Sequence, residues 1–297
     1  MNILIFTDLH IKDRDKKEIE RVTEEIITLS NETGATEVWS LGDTFDVVNP
    51  SPTELDLFAS FLKKLNKKMV ILSAMSHESI SPENSVLNHF GVILPSIKIV
   101  PNSYIYEYSK STKFLLGHYT LKESSKGFGA DMSVKELEKY KYVFLGHQHS
   151  YQNIKNVYHL GSVRYIRFDE VNDQKKYVGL LEISEMEKTF KLIPLKTPYP
   201  MLDVVYQNEE SLSKIKADTK VRVIINTFED FKAFSAISNK YKEKFIDFRI
   251  KTNFTTIKTE VKEEQKIQAK DFTSSLKEYL VKSGIDKEIV SAILEEV

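Results

Sequence analysis

The chain of 297 residues contains no cysteine. That absence removes disulfides, zinc ribbons and thiolate catalysis together, and leaves nitrogen and oxygen donors to hold any metal. No apolar run approaches the roughly 18 residues of a membrane span, and the N-terminus enters a strand-like stretch, Asn2 to Phe6, without a basic, cleavable leader. The expectation is a cytoplasmic protein with no membrane partner. Excess charge of either sign is also missing: the net charge is -1, so a polyanionic partner would have to be met by a local basic patch rather than by a globally basic surface. What is present is ordinary for a globular protein, 41% hydrophobic and 29% charged, which excludes a disordered chain. The length allows one sizeable core with one or two smaller units.

Short apolar runs punctuate the first half: Asn2 to Phe6, Glu37 to Leu41, Met69 to Leu72, Lys113 to Leu116 and Tyr142 to Leu145. Each is apolar enough to be buried on both faces, and helical or loop segments separate them, so they predict an α/β sheet covered by helices. Ile19, Val22, Ile26 and Leu29 share one helical face, with Gly34 beyond as a stop. A second helix begins at Ser51, with Pro52 in its first turn and Glu54 completing a capping box. Its apolar face, Leu55, Phe58, Leu62 and Leu65, is widened by Leu57 and Phe61 beyond what one sheet requires, which leaves room for a partner surface.

After Lys196 the alternation restarts on a smaller scale. Strands are expected at Leu202 to Tyr206, Lys220 to Ile225 and Phe245 to Ile250, with helices at Glu209 to Ile215 and through Phe231, Phe234 and Ile237. This divides the chain into a main domain over 1–195, a small α+β accessory domain over 196–254, a polar linker over 255–270 and a helical hairpin over 271–297. The hairpin's apolar faces, around Leu276 and Leu280 and then Ile289 and Ile293, either grip another protein or dock on the chain's own body.

Five motifs each follow an expected strand: Asp8-Leu9-His10, Gly42-Asp43-Thr44-Phe45-Asp46, His77-Glu78, Gly117-His118 and Gly146-His147-Gln148-His149. In an open sheet they would gather at its carboxyl edge, where ligands bind. Two divalent cations held close together need one bridging carboxylate with His and Asp ligands completing each half, and Asp43 on its glycine turn is the natural bridge. Asp8 and His10 are two residues apart, so a regular strand would point both to one side, and His147 and His149 repeat the spacing. Asp46 and Glu78 are either carboxylates that orient a ligand or ordinary caps and solvated charges. Lys12, Arg14, Lys16 and Lys17, with Asp13 and Asp15 interleaved, are candidate phosphate contacts or a solvated helix start; Arg164 and Arg167 are further candidates, and Arg164 follows the Gly161-Ser162 turn.

This series of motifs resembles the calcineurin-like metallophosphoesterase superfamily over the first half of the chain. The following segment, Tyr158-His159-Leu160-Gly161-Ser162-Val163-Arg164, with Phe168-Asp169-Glu170, the strand Tyr177 to Ile183 and Leu195-Lys196-Thr197, is similar to the SbcD-type nucleases. The resemblance implies a metallophosphoesterase sandwich, central sheets flanked by helices, with a small DNA-capping domain and a C-terminal helical hairpin. It implies two divalent ions, Mn2+ or Mg2+, with Asp8, His10, Asp43 and His149 around one and Asp43, His118 and His147 around the other. His77 would then steady the scissile phosphate or protonate the leaving oxygen. The implied activity is hydrolysis of DNA phosphodiesters, exonuclease or endonuclease, within a repair and recombination complex whose partners are an SbcC-like coiled-coil ATPase held by the hairpin and a second copy of the chain. One departure stands out: where the family has Gly-Asn-His and an acid, this chain has Met75-Ser76-His77-Glu78, so the amide oxygen that the resemblance implies on the second metal is missing, and Ser76 offers only a shorter hydroxyl, a poorer donor, in its place. Two other readings stay open beside the nuclease: a phosphatase or phosphodiesterase for small substrates, and a structural subunit whose metal site has decayed at Ser76.

Overall fold

A computed structural model describes residues 1–74, 77, 79, 84–124, 130, 132–173 and 175–253. The segments read as linker and hairpin, and the residues Ser76 and Glu78, lie outside these.

The first strands pair side by side: β1 (Asn2–Phe6) lies parallel to β2 (Glu37–Ser40), β2 to β3 (Lys68–Leu72), and β3 to β4 (Ile97–Val100). Two later strands, β10 (Tyr177–Ile183) and β11 (Lys188–Pro194), join the other edge of β1 antiparallel, giving a six-stranded sheet in the order β11-β10-β1-β2-β3-β4. A second sheet has five strands: β5 (Ser103–Glu107), β6 (Lys113–His118), β7 (Tyr142–Gly146), β9 (Val157–His159) and β8 (Gln152–Ile154), in that order.

The period of two along a strand sorts the side chains into layers. Leu4 and Phe6 of β1 join Val38, Met69 and Ile71 in a core roofed by the helices α1 (Lys16–Glu32) and α2 (Pro52–Leu65). Ile3 and Ile5 face the other way and meet Trp39, Leu72, Phe114, Leu116 and Phe144 between the two sheets. Leu115, Val143 and Leu145 close the far side of the second sheet against Leu121, Val134 and Leu137. The architecture is therefore the expected α/β sandwich, two stacked sheets with helices outside. Helix α2 starts as its sequence requires: Glu54 N donates to Ser51 Oγ at 3.2 Å, and Ser51 N donates to Glu54 Oε2 at 2.8 Å. Phe61, which widens the apolar face of α2, is buried in the chain's own core with its ring 5.9 Å from that of Phe6.

A third sheet consists of β12 (Met201–Val205), β13 (Lys220–Ile225) and β14 (Asp247–Thr252), all parallel. Parallel neighbours need crossover segments. Here α3 (Glu210–Ser213) and the pair α4 (Phe228–Ser235) and α5 (Ser238–Lys244) supply them, with Phe234, Tyr241 and Phe245 buried beneath. Among the described residues, no helix is long and apolar enough to cross a membrane.

Candidate metal centre

Four of the six non-glycine residues with positive φ among the described residues are expected metal ligands: Asp8 (φ 53), His10 (φ 46), Asp43 (φ 50) and His147 (φ 76). Left-handed backbone disfavours a side chain with a Cβ and persists only where surrounding contacts over-determine it. The source of that determination is visible. Beyond the end of β1, Asp8 N donates to Gly42 O at 3.1 Å, His10 N to Asp43 O at 2.9 Å and Ile11 N to Thr44 O at 2.9 Å, so the two ligand-bearing loops run side by side. Asp8 and His10 thus converge through left-handed turns past the strand, and not through the strand alternation that their spacing suggests.

The side chains meet in overlapping groups: Asp8, His10 and His149; Asp43, His118 and His147; and His10, Asp43 and His77, each set with candidate donor atoms within 4.8 Å of one another. Asp43 Oδ2 lies 3.2 Å from His118 Nε2, 3.4 Å from His10 Nε2 and 3.8 Å from His77 Nε2. Asp8 Oδ1 lies 3.8 Å from His10 Nε2 and 3.7 Å from His149 Nε2. Donors about 2.1 Å from an octahedral ion sit about 3 Å apart on adjacent corners; the spacings here, 3.2–3.8 Å, are somewhat wider, and the donor set fits a divalent cation after a small inward shift.

Buried atoms without partners support the fit. Asp8 Oδ1 and His10 Nε2 have no hydrogen-bond partner, and a buried polar atom left so costs about 1–3 kcal/mol. The other Asp8 oxygen is satisfied, accepting from Thr7 Oγ1 at 2.5 Å and from His147 N at 3.2 Å. A divalent cation bound by oxygen and nitrogen donors would satisfy the orphaned pair.

Each imidazole is aimed by what its other nitrogen touches. His10 Nδ1 is 2.9 Å from Asp46 Oδ1, and Lys12 Nζ holds the second Asp46 oxygen at 2.7 Å. His149 Nδ1 is 3.0 Å from Glu170 Oε1. Glu170 is wholly buried; its oxygens also accept from Ile166 N, Arg167 N, Ser162 Oγ and Lys176 Nζ. His118 Nδ1 donates to the Leu41 carbonyl at 2.7 Å, which leaves Nε2 as the ligand atom facing Asp43. Glycine makes room for that ring: a Cβ on Gly42 would come within 2.6 Å of His118 Nδ1, and one on Gly146 within 2.7 Å.

The electrostatics fit a site built for cations. Burial pushes the His10 imidazole down, but the hydrogen bond to Asp46 and the nearby carboxylates of Asp8 and Asp43 outweigh it and lift it to about 9. His118 likewise rises to about 9, against burial, through the charge of Asp43. Burial raises the Asp8 and Asp43 carboxyls, yet the facing histidines win and hold both below the ordinary range. Glu170 falls to about 2 because His149 and Lys176 outweigh its burial. His77 and His147 move the other way, lowered chiefly by burial.

His77 stands at the rim, 32% exposed, in a cavity of about 210 Å³ lined also by Asp43, Thr120, His147, Gln148, His149 and Arg167. The expected phosphate contacts are placed differently from one another. Lys12 is turned onto Asp46 and Arg14 is exposed beside Asp15. Arg164 is only 1% exposed: its guanidinium donates to Leu9 O, His10 O, Asp15 and Glu18, so the structure puts it to internal use instead of offering it to a phosphate. Arg167 faces the cavity. Sequence reasoning gave no role to Glu170 or to the Leu41 carbonyl. Glu170 lies 21 residues from His149 with no spacing rule to connect them, and a main-chain carbonyl has no sequence signature.

No protein-family model and no curated protein matches the chain. Among solved structures it is similar to a single mutant of Vps29 from Entamoeba histolytica, at 13% identity over 66% of this chain and 100% of that one, with a TM-score of 0.40. It is also similar to a dimetal phosphatase from Danio rerio, at 12% identity over 67% of this chain and 99% of that one, with a TM-score of 0.39. A third is the nuclease MPE of Pseudomonas putida, at 16% identity over 52% of this chain and 64% of that one, with a TM-score of 0.33.

Proposed function

We propose that the chain is a phosphoesterase of the calcineurin-like metallophosphoesterase superfamily, that it works with two divalent cations, and that its substrate is DNA. One observation carries the metal-dependent reading: a single oxygen of Asp43 lies within 3.8 Å of imidazole nitrogens drawn from three separate segments, at His10, His77 and His118. Two cations sharing that carboxylate would supply a water of lowered pKa and neutralise charge on the attacking and leaving oxygens. Asp8, His10 and His149 would hold one cation, and Asp43, His118 and His147 the other, with Asp43 between them.

The remaining residues bind and orient. His77, lowered by burial, rests as a neutral imidazole at pH 7 and offers an N–H to a phosphate oxygen. Arg167, on the same cavity, presents a planar fork of donors that suits a phosphate. The cavity, about 210 Å³, fits one phosphate presented from outside. Arg222 and Arg249 lie 5.2 Å from the Phe168 ring but are paired with Asp203 and Asp247, so Arg167 is the basic residue on the cavity itself. The SbcD-like segment around Gly161 and Glu170 supports the nuclease subtype, and with it an SbcC-like ATPase and a second copy of the chain as partners.

The test is digestion of end-labelled linear duplex DNA by the full chain in Mn2+, alone and with its neighbouring ATPase, alongside a chromogenic phosphodiester. Chelator-sensitive DNA cleavage that rises in Ser76→Asn is the expected result. Hydrolysis of the chromogenic ester with no DNA cleavage under either condition would replace DNA with a small substrate, and no hydrolysis even in Ser76→Asn would leave a structural subunit.

A further inference from the structure

Arg164 poses a physical question. Burying charge is costly, and an ion cluster gains little stability over apolar packing of the same volume, yet this arginine sits in a set of charges. Its Nη1 donates to Glu18 Oε2 at 2.9 Å and to Asp15 Oδ2 at 3.0 Å. Glu18, on α1 and 1% exposed, accepts on the same oxygen from Lys220 Nζ at 2.7 Å, and its other oxygen accepts from Tyr199 N at 3.0 Å. Lys220 also donates to the Tyr165 carbonyl, next to Arg164 in the chain. Two buried cations thus face the buried carboxylate of Glu18, and Asp15, 18% exposed, adds a second carboxylate at the edge of the set.

The two ends of the cluster belong to different parts of the fold. Lys220 is the first residue of β13, the central strand of the three-stranded sheet. Arg164 spends its remaining donors on the main chain of the ligand loop, Nε on Leu9 O at 2.9 Å and Nη2 on His10 O at 2.6 Å. Those two carbonyls border His10, whose left-handed backbone needs outside contacts to persist. We propose that Lys220, Glu18 and Arg164 form a positioning relay through which the three-stranded sheet fixes the Leu9-His10 backbone and so sets the affinity of the Asp8-His10-His149 cation site.

The relay rests on the reading of that site as a cation site. It acts most directly on the first ligand set, because its hydrogen bonds reach the Leu9 and His10 carbonyls, whereas the His118 ring is aimed from Leu41 and the second set feels the relay only through the His10 N to Asp43 O hydrogen bond. Arg164→Lys separates charge from geometry: a lysine still pairs with Glu18, but an ammonium on a flexible stem does not reproduce a fork that reaches two successive carbonyls. Lys220→Met leaves Glu18 with Arg164 and removes only the tie to the third sheet.

The experiment titrates Mn2+ into the full chain by calorimetry and electron paramagnetic resonance, with thermal melts on the same samples. Each variant is made in the native background and with His147→Ala, which breaks the second ligand set. Expected is a fall of about tenfold in first-site affinity for both Arg164→Lys and Lys220→Met, the scale on which outer-shell partners act. Second-site affinity falls by less, so the coupled two-manganese signal appears only at higher Mn2+ than in the native chain. Native affinity at the first site in both variants overturns the relay. So does a loss shared equally by both sites that follows the drop in melting temperature, since that is plain destabilisation. A native chain that binds no Mn2+ at all sinks the cation-site reading itself, and the relay with it.

Discussion

On the proposed reading the two ligand sets share Asp43, yet they are built differently. In the first, Asp8, His10 and His149 are all buried, and each histidine leans on a carboxylate, Asp46 or Glu170. In the second, His118 leans on a neutral carbonyl and His147 is exposed at the cavity. A carboxylate on the far nitrogen fixes the ring and raises its basicity more than a carbonyl does. Among the described residues the first set is therefore the more enclosed and the second the more exposed, which on the proposed reading suits a position where substrate and water exchange. The two should differ in affinity, with the first filling before the second.

The largest effect expected on this comparison erases it. Asp43→Asn removes the shared ligand and should lower Mn2+ affinity at both sites by more than about 100-fold, beyond the range for outer-shell partners; calorimetry that still finds two native-like sites would show that Asp43 bridges nothing. Glu170→Gln strikes the first site alone. It should weaken that site by about 10 to 100-fold and lower the melting temperature as well, because Lys176 is left buried without its main counter-charge. Asp46→Asn makes the matched change on His10, but Asp46 is 25% exposed, so solvent can replace part of its role and the loss should sit at the lower end of that range. Equal effects of the two substitutions would mean that burial of the orienting acid does not matter.

Acidity tests whether protons now stand where cations belong. His10 and His118, raised to about 9 from an ordinary 6.5, each give up a proton to ligate. Mn2+ affinity at each site should climb about tenfold per pH unit between pH 6.5 and about 9 and then level off. The metal-free chain should do the opposite: the stabilisation from protonated His10 and His118 is full below 6.5 and is lost as pH rises through about 9. Melting curves with and without Mn2+ that run parallel across this window would count against protonated histidines in the metal-free chain.

Much of the fold was legible because strand and helix signals are local. The run Asn2 to Phe6 is β1 residue for residue, the run Glu37 to Leu41 overshoots β2 by one, and the Ser51-Glu54 capping box forms as its spacing requires. The two-sheet split was not legible from the short apolar runs, because strands such as Ser103–Glu107 alternate between exposed and half-buried and carry little hydrophobic signal. The ligands could be read from their chemistry, since few residue types serve a cysteine-free metal site. Their geometry could not, because a left-handed φ at Asp8 or His10 is imposed by a neighbouring loop some 35 residues away. Arg164 was misleading for a related reason: an arginine after a glycine turn suggests a surface contact, and only the three-dimensional fold brings Glu18 and the Leu9 carbonyl to it across 146 and 155 residues.

The smallest effect expected concerns Lys12, which both readings of the first loop claim. In the structure its ammonium lies 2.7 Å from Asp46 Oδ2 and is about one fifth exposed, at 22%, so it steadies the acid that aims His10. A partly exposed pair of this kind contributes roughly 0.2–1 kcal/mol, which predicts that Lys12→Met weakens first-site Mn2+ binding by less than about fivefold. If Lys12 also touches a DNA phosphate, the same variant should reduce the slope of log affinity against log salt by about one. A metal effect with an unchanged salt slope would place Lys12 wholly with Asp46, and leave Arg167 as the first basic residue that an incoming phosphate meets.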